Sequence, residues 1–346
     1  MAISIDILNS IRANADGLYQ ERVPEATQNN IEQIGRAFEQ YDLQYNQFMD
    51  ALIHKIGLTL LQTKSFKNKL KRFKSGSIVS QQDVEEIFVN QFRLAEGTYD
   101  KDGGVGTDAS GNPTGIHPFK RRKYQDVKVA YHRMNRQDKY VITISKVDVI
   151  RAFKSPATLD SFMIAQFNSI YTGAEYDEYI HMKQLFAEAI QKDDFFTYYV
   201  PEIDGTTANT MAFVRTAKKA IKDLEYPSAN YNPAEVMTTS NANELVMFVN
   251  KDVAVHLDVD LYAQIFGPNY AKMNITTVEV DNFGADDSGT YALICDGDWF
   301  KVYDTLQKFT QLENPEGLYT NYWLHIWQIL SYSRFKNAIR LAKQTA

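Results

Sequence analysis

The chain has one cysteine among 346 residues, so no internal disulfide can brace it and no cysteine-based zinc cluster can form. It has no run of about 18 apolar residues. Its opening Met1-Ala2-Ile3-Ser4-Ile5-Asp6 shows neither a basic flank and long apolar stretch nor a cleavage site, so a soluble chain without a membrane partner is expected. Positive charge is in deficit: 37 Lys and Arg face 43 Asp and Glu, which excludes a uniformly basic nucleic-acid binder and leaves only local contact with phosphate. No repeat or low-complexity tract supports a solenoid, propeller or collagen-like rod. His54, His117, His132, His181, His256 and His325 are scattered without an HExxH or HxH pair, so no metal and no cofactor is expected.

What remains is a globular composition with 44% hydrophobic residues, including 21 Tyr and 20 Phe, enough for a sizeable core. The length predicts two domains or one elaborated domain. The lone Cys295 lies in Tyr291-Ala292-Leu293-Ile294-Cys295, a run that predicts a buried thiol rather than a nucleophile and fits a reducing compartment.

Residues 1 to 28, mixed and polar with Pro24, read as an arm outside any core. From Ile31 through Ile34, Phe38, Tyr41, Tyr45, Phe48, Leu52 and Ile56 the apolar spacing of three and four predicts one helix over about 29 to 56, stopped by Gly57. Strands are predicted over Val84 to Phe92, Val127 to Tyr131 and Tyr140 to Ile150, with a Gly- and Asp-rich exposed loop from Asp100 to Gly115. A two-stranded arm carrying such a loop is marginal alone in water and needs a surface to lie on. Pro156 opens a long helix to about Gln191, with Gly173 as a bend point. Beyond it come a strand over 195 to 201, a helix near 209 to 224, strands near 245 to 249, 275 to 280 and 291 to 295, a short helix near 259 to 266, and an aromatic-rich stretch from Trp299 to Phe335. The fold class is α+β.

The search for chemistry yields little. Gly103-Gly104-Val105-Gly106 follows no buried strand and precedes no Lys-Ser/Thr pair, so phosphate-cradle readings fail. Asp258 with Asp260, and Asp296 with Asp298, have the alternate spacing of Mg²⁺-holding carboxylates, but Asp298 before Trp299-Phe300 reads as a turn residue and Asp260 as a helix opener. No catalytic residue is assigned. Thr63 to Gly76 interleaves Lys64, Lys67, Lys69, Lys71, Arg72 and Lys74 with Phe66 and Phe73; it is a solvated strand or turn flank, or a patch that faces nucleic-acid phosphate or an acidic neighbour.

The run Ala292-Leu293-Ile294-Cys295-Asp296-Gly297-Asp298-Trp299-Phe300-Lys301-Val302-Tyr303, followed by Asn314-Pro315-Glu316-Gly317-Leu318-Tyr319 and Tyr322-Trp323-Leu324-His325-Ile326-Trp327, resembles the major capsid proteins of small podoviruses related to phage phi-twenty-nine. The likeness continues in Asp177 to Lys183, His132 to Gln137, Lys55 to Leu58 and Leu70 to Gly76, covering nearly the whole chain. It implies the Hong Kong 97 tailed-phage capsid fold, with an arm and helix over 1–60, a basic connection over 61–79 and an extended loop over 80–150. The spine helix and peripheral domain would occupy 151–207, the axial domain 208–330, and a return to the peripheral domain 331–346. It further implies a non-enzymatic shell subunit that makes pentamers and hexamers with itself, partners a scaffolding protein and a portal, touches packaged double-stranded DNA, and assembles in the host bacterial cytoplasm into an icosahedral or prolate virion head. The family prototype's additional immunoglobulin-like domain has no counterpart before Ala346. Two rival readings are an encapsulin-like compartment shell and a metal-dependent nucleic-acid enzyme built on the four aspartates.

Overall fold

The computed structural model describes residues 3–58, 66–79, 82–90, 127–154, 156–262, 275–284 and 289–344. The chain opens with α1 (Ile3–Asn14), α2 (Gly17–Arg22), α3 (Ile31–Gln40) and α4 (Asp42–Leu58), followed by the strands β1 (Gly76–Ser77), β2 (Val84–Val89), β3 (Val127–His132) and β4 (Arg136–Ser145). Next come α5 (Lys146–Ala152), α6 (Pro156–Gln191), β5 (Phe196–Val200), α7 (Thr207–Leu224), β6 (Leu245–Asn250) and α8 (Lys251–Tyr262). The chain ends with β7 (Thr276–Val280), β8 (Thr290–Asp296), β9 (Phe300–Asn314), β10 (Tyr319–Tyr332) and β11 (Ala338–Lys343).

Two compact units result, each assembled from three stretches of chain: 1–82, 134–185 and 301–331 form the first, and 83–133, 186–300 and 332–346 the second. In the first, a sheet of order β1-β9-β10-β4 is pinned along β10 and β4 by antiparallel pairing from Tyr319 with Ser145 to Gln328 with Arg136. The helices α1 to α5 share a core around Phe38, whose ring stacks on Phe48 at 4.8 Å and meets Phe153 edge-on at 5.3 Å. The expected N-terminal arm is therefore corrected: Ile5, Leu8, Ile11, Tyr19, Val23 and Ala26 are buried in this core. Their apolar positions are spread over two short helices and the irregular stretch after them, the second helix capped by Asp16 through the Tyr19 N–H, so no long stripe announces them.

Three further expectations change. The single helix over 29 to 56 is two helices, broken at Tyr41, whose φ of −125° and ψ of 91° leave the helical region. Asp42 restarts the chain with a carboxylate in the first turn of α4, which runs through Gly57 to Leu58. The strand expected to Ile150 ends at Ser145, and Lys146 to Ala152 coil into α5 with Asp148 in the first turn. The short helix expected near 259 begins at Lys251, so Asp260 lies inside α8 and opens nothing. By contrast α6 starts at Pro156 and continues unbroken through Gly173 to Gln191, 36 residues or about 54 Å. The expected glycine-rich loop lies outside the described residues.

In the second unit a five-stranded mixed sheet runs β5-β11-β8-β6-β7, parallel at its two outer pairs and antiparallel within. One face packs on Phe213, Ala217 and Leu224 of α7. The other meets an aromatic cluster in which Phe186 lies 4.9 Å from Phe248 and 5.4 Å from Trp299, ring centre to ring centre. Covered on both sides, β8 is buried at six of its seven residues, which is why its sequence is a continuous apolar run. Cys295 is enclosed there, and burial pushes its thiol well above the usual range, as befits an inert side chain.

Candidate functional site

Of the six cations singled out in the basic segment, Lys64 lies outside the described residues. The others lie on a stretch that turns at Lys69 and Leu70 into a 3-10 helix over Lys71–Phe73; Lys67, Lys69 and Lys71 are exposed, whereas Asn68 and Leu70 are buried. Phe66 anchors the segment between Tyr176 and Tyr179 of α6, at 5.4 Å from each ring. At the far end the Ser75 N–H donates to the Val302 carbonyl at 2.8 Å and β1 joins β9 in parallel.

This docking divides the cations by role. Lys74 Nζ sits 2.6 Å from Glu178 Oε1 and 2.7 Å from Asp304 Oδ2, with its side chain 13% exposed. Lys71 pairs with Glu175. Burial works against the Lys71 charge, yet the hydrogen bond and charge of Glu175, with Glu178 and Asp304 beyond, outweigh it and raise the ammonium pKa. Gln328 ties the layer together by donating to Glu178 at 2.9 Å and to Asp304 at 2.6 Å while accepting from Arg136 at 2.6 Å. Arg136 also donates to Tyr140, whose hydroxyl donates to Asp177 at 2.8 Å. A small cleft of about 130 Å³ opens among these groups. Its charges are matched cation to carboxylate, an arrangement that fixes the elements to one another. The outward side keeps Lys67, Lys69 and Arg72 at the surface, with Arg72 lying over the Phe73 ring.

Of the two aspartate pairs only Asp296 and Asp298 have described side chains, and these belong to no group of three possible ligands among the described residues. Asp298 forms the turn after β8 and pairs with Lys336 at 2.7 Å. Asp296 accepts the Asn337 N–H at 3.1 Å, closing the edge of the β8–β11 pair. For Asp258 and Asp260 only the helical backbone is described. Among the described residues no group of three His, Cys, Asp or Glu is placed to hold a metal ion, and no helix is long and apolar enough to cross a membrane.

A surface feature escaped the reading of the sequence. β2 and β3 form a two-stranded antiparallel ribbon pairing Glu85 with Tyr131, Ile87 with Val129 and Val89 with Val127. These directly opposed residues share one face, and Ile87, Val89, Val127, Val129 and Tyr131 are all exposed there, Ile87 to 58% and Tyr131 to 60%. The recurrence of large apolar residues at every second position in Val127-Lys128-Val129-Ala130-Tyr131 was the available signal. It did not say which face would be covered, because a buried apolar face is the usual outcome.

Comparison with known proteins gives a concordant result. The family model described as Phi29-like phage major capsid protein matches residues 8–342. The major capsid protein of Bacillus phage PZA is 33% identical over 338 residues, spanning 97% of this chain and 72% of the relative. Among solved structures, a chain from native bacteriophage P68 superposes with a TM-score of 0.62 at 14% identity, covering 83% of this chain and 87% of that one. A chain from the capsid structure of Staphylococcus phage Andhra gives 0.60 at 12%, again over 83% and 87%. At such identities the superpositions speak for a common tailed-phage capsid fold, of the Hong Kong 97 kind.

Proposed function

Because the chain belongs to the family of Phi29-like phage major capsid proteins, it is a structural subunit of the phage virion that associates with copies of itself into a shell, and we propose that the outer face of the β2–β3 ribbon is a principal contact in that association. The observation that carries this proposal is the row of five exposed apolar side chains on a ribbon too small to be stable by itself. In a closed shell each subunit is surrounded by copies, so a second copy is the partner available to cover it. Each such contact is modest, and closure multiplies it.

The remaining parts are assigned as follows. The extended loop, expected over 80–150, is based on β2, β3 and β4; α6 is the spine. The axial part, expected over 208–330, centres on α7, α8 and the five-stranded sheet, while β9 and β10 go with the unit that holds α1 to α5. Residues 1–60 remain the arm-equivalent in chain order, 61–79 the basic connection and 331–346 the return strand. A scaffolding protein and a portal are proposed as further partners, with assembly in the host cytoplasm and no catalytic role. Packaged double-stranded DNA is proposed to meet the exposed side of the basic segment, where Lys67, Lys69 and Arg72 lie at the surface, whereas Lys74 is turned inward onto Glu178 and Asp304.

The ribbon proposal is tested by Ile87→Asp combined with Val129→Asp. The expected outcome is a subunit with unchanged circular dichroism and melting temperature that no longer forms shells by electron microscopy. Shells in normal yield would overturn it.

A further inference from the structure

The ribbon has a second face, and its chemistry is different. Val84, Glu86 and Phe88 of β2 alternate inward with Lys128, Ala130 and His132 of β3. Glu86 uses both carboxylate oxygens: Oε2 lies 3.2 Å from His132 Nε2, and Oε1 accepts the Ser333 hydroxyl at 2.8 Å. Register sets Glu86 opposite Ala130 and Val84 opposite His132, so the Glu86–His132 contact is a diagonal staple across the two strands. Its other oxygen leaves the ribbon and grips the chain that follows β10.

The other inward contacts converge on the same place. Phe88 stacks on Phe335 at 5.7 Å, two residues beyond Ser333. Lys128 donates to the Ala234 carbonyl, and the Ala234 N–H donates to the Arg334 carbonyl at 3.2 Å. The receiving turn is itself fastened. Ser333, wholly buried, donates its N–H to Trp299 at 2.8 Å, Arg334 reaches Asp194 at 3.0 Å, and the Phe335 N–H returns to the Ser333 hydroxyl at 3.2 Å.

We propose that Glu86, acting through His132 and Ser333, is a positioning residue that sets the direction of the ribbon against the rest of the second unit, and hence the direction in which its apolar face is offered to a neighbouring copy. The ladder between β2 and β3 fixes the strands to each other and leaves their joint direction open. The Phe88–Phe335 stack favours contact over a wide range of angles. A half-buried carboxylate with one oxygen on each side tolerates a narrower range, because turning it away leaves the buried Ser333 hydroxyl without this acceptor. This role in assembly rests on the proposal that the outer face docks on a second copy; the clamp itself does not.

The test compares the full chain carrying Glu86→Ala, Ser333→Ala or Glu86→Gln by amide hydrogen exchange in the unassembled subunit and by the diameter distribution of assembled shells. Glu86→Ala and Ser333→Ala are expected to speed exchange of the ribbon amides about tenfold while leaving β8 unchanged, and to broaden the shell diameters. Glu86→Gln, which retains an oxygen for Ser333 and offers an amide to the histidine ring, restores both readouts. Unchanged ribbon exchange in the two alanine variants would overturn the clamp, and faster exchange with shells of uniform, unaltered diameter would overturn its positioning role. Failure of the unaltered chain to form shells would count against the docking reading alone, because exchange reads the clamp in the isolated subunit.

Discussion

Asp296 shows how a carboxylate that resembled a metal ligand in the sequence is committed to the fold. Burial raises its pKa, opposed by the hydrogen bonds from Ser240 and the Asn337 backbone and by the Lys336 charge, and reinforced by Asp298; the net shift is upward. A carboxyl whose folded pKa lies above its unfolded value contributes most when protonated, and that contribution is lost as pH rises through the folded value. Asp296→Asn keeps an oxygen for the Asn337 N–H and removes the ionisation. Its melting temperature should therefore exceed that of the unaltered protein at pH 8, with the gap closing below about pH 4. A gap that does not change with pH would show that the charge is compensated in place. At this scale the turn role of Asp298 was legible, since Gly297-Asp298 before an aromatic strand is local information. The partner of Asp296 was not, because Asn337 is 41 residues away and meets it only once β8 and β11 pair.

Whole elements were legible where one local rule dominated. Pro156 marks the start of α6 because its fixed φ and missing N–H suit a first turn, and β6 and β8 stand out as short apolar runs. Misreadings occurred where neighbouring packing decided the outcome. Nothing in Tyr41-Asp42 forbids a continuous helix, yet α3 and α4 must fold on each other around Phe38. Gly35 is the corresponding device on α3: a Cβ there would lie 2.8 Å from the Cβ of Phe153, so the bare backbone permits α3 to close on α5. Gly35→Ala gains helix propensity but overpacks this contact, and a net destabilisation of about 1–2 kcal/mol is expected in urea unfolding. A stabilised variant would mean that Phe153 shifts freely and that the helical layer is less tightly packed than its ring contacts indicate.

At the scale of the molecule the chain crosses between its two units repeatedly, and no composition change marks those crossings. The fold therefore came from resemblance, while the division of the basic segment came only from its partners: Glu175 and Glu178 are more than a hundred residues downstream on α6, and Asp304 is on β9. With those carboxylates counted, the surface left for phosphate is smaller than the six cations suggested. Non-specific binding to duplex DNA weakens with salt in proportion to the phosphates neutralised, with a logarithmic slope of about −0.9 for each. Replacing Lys67, Lys69 and Arg72 together with Gln should make the slope for binding of a short duplex by the subunit shallower by about two to three. Lys74→Met should leave that slope almost unchanged and instead lower unfolding stability by about 3 kcal/mol, because Glu178 remains buried without its cation. The opposite pattern, a slope that follows Lys74 and ignores the outer three, would place the DNA contact elsewhere. A subunit with net charge −6 can line a DNA-filled shell on this account, provided that a few exposed cations recur in every copy and each contact stays weak enough to release the genome.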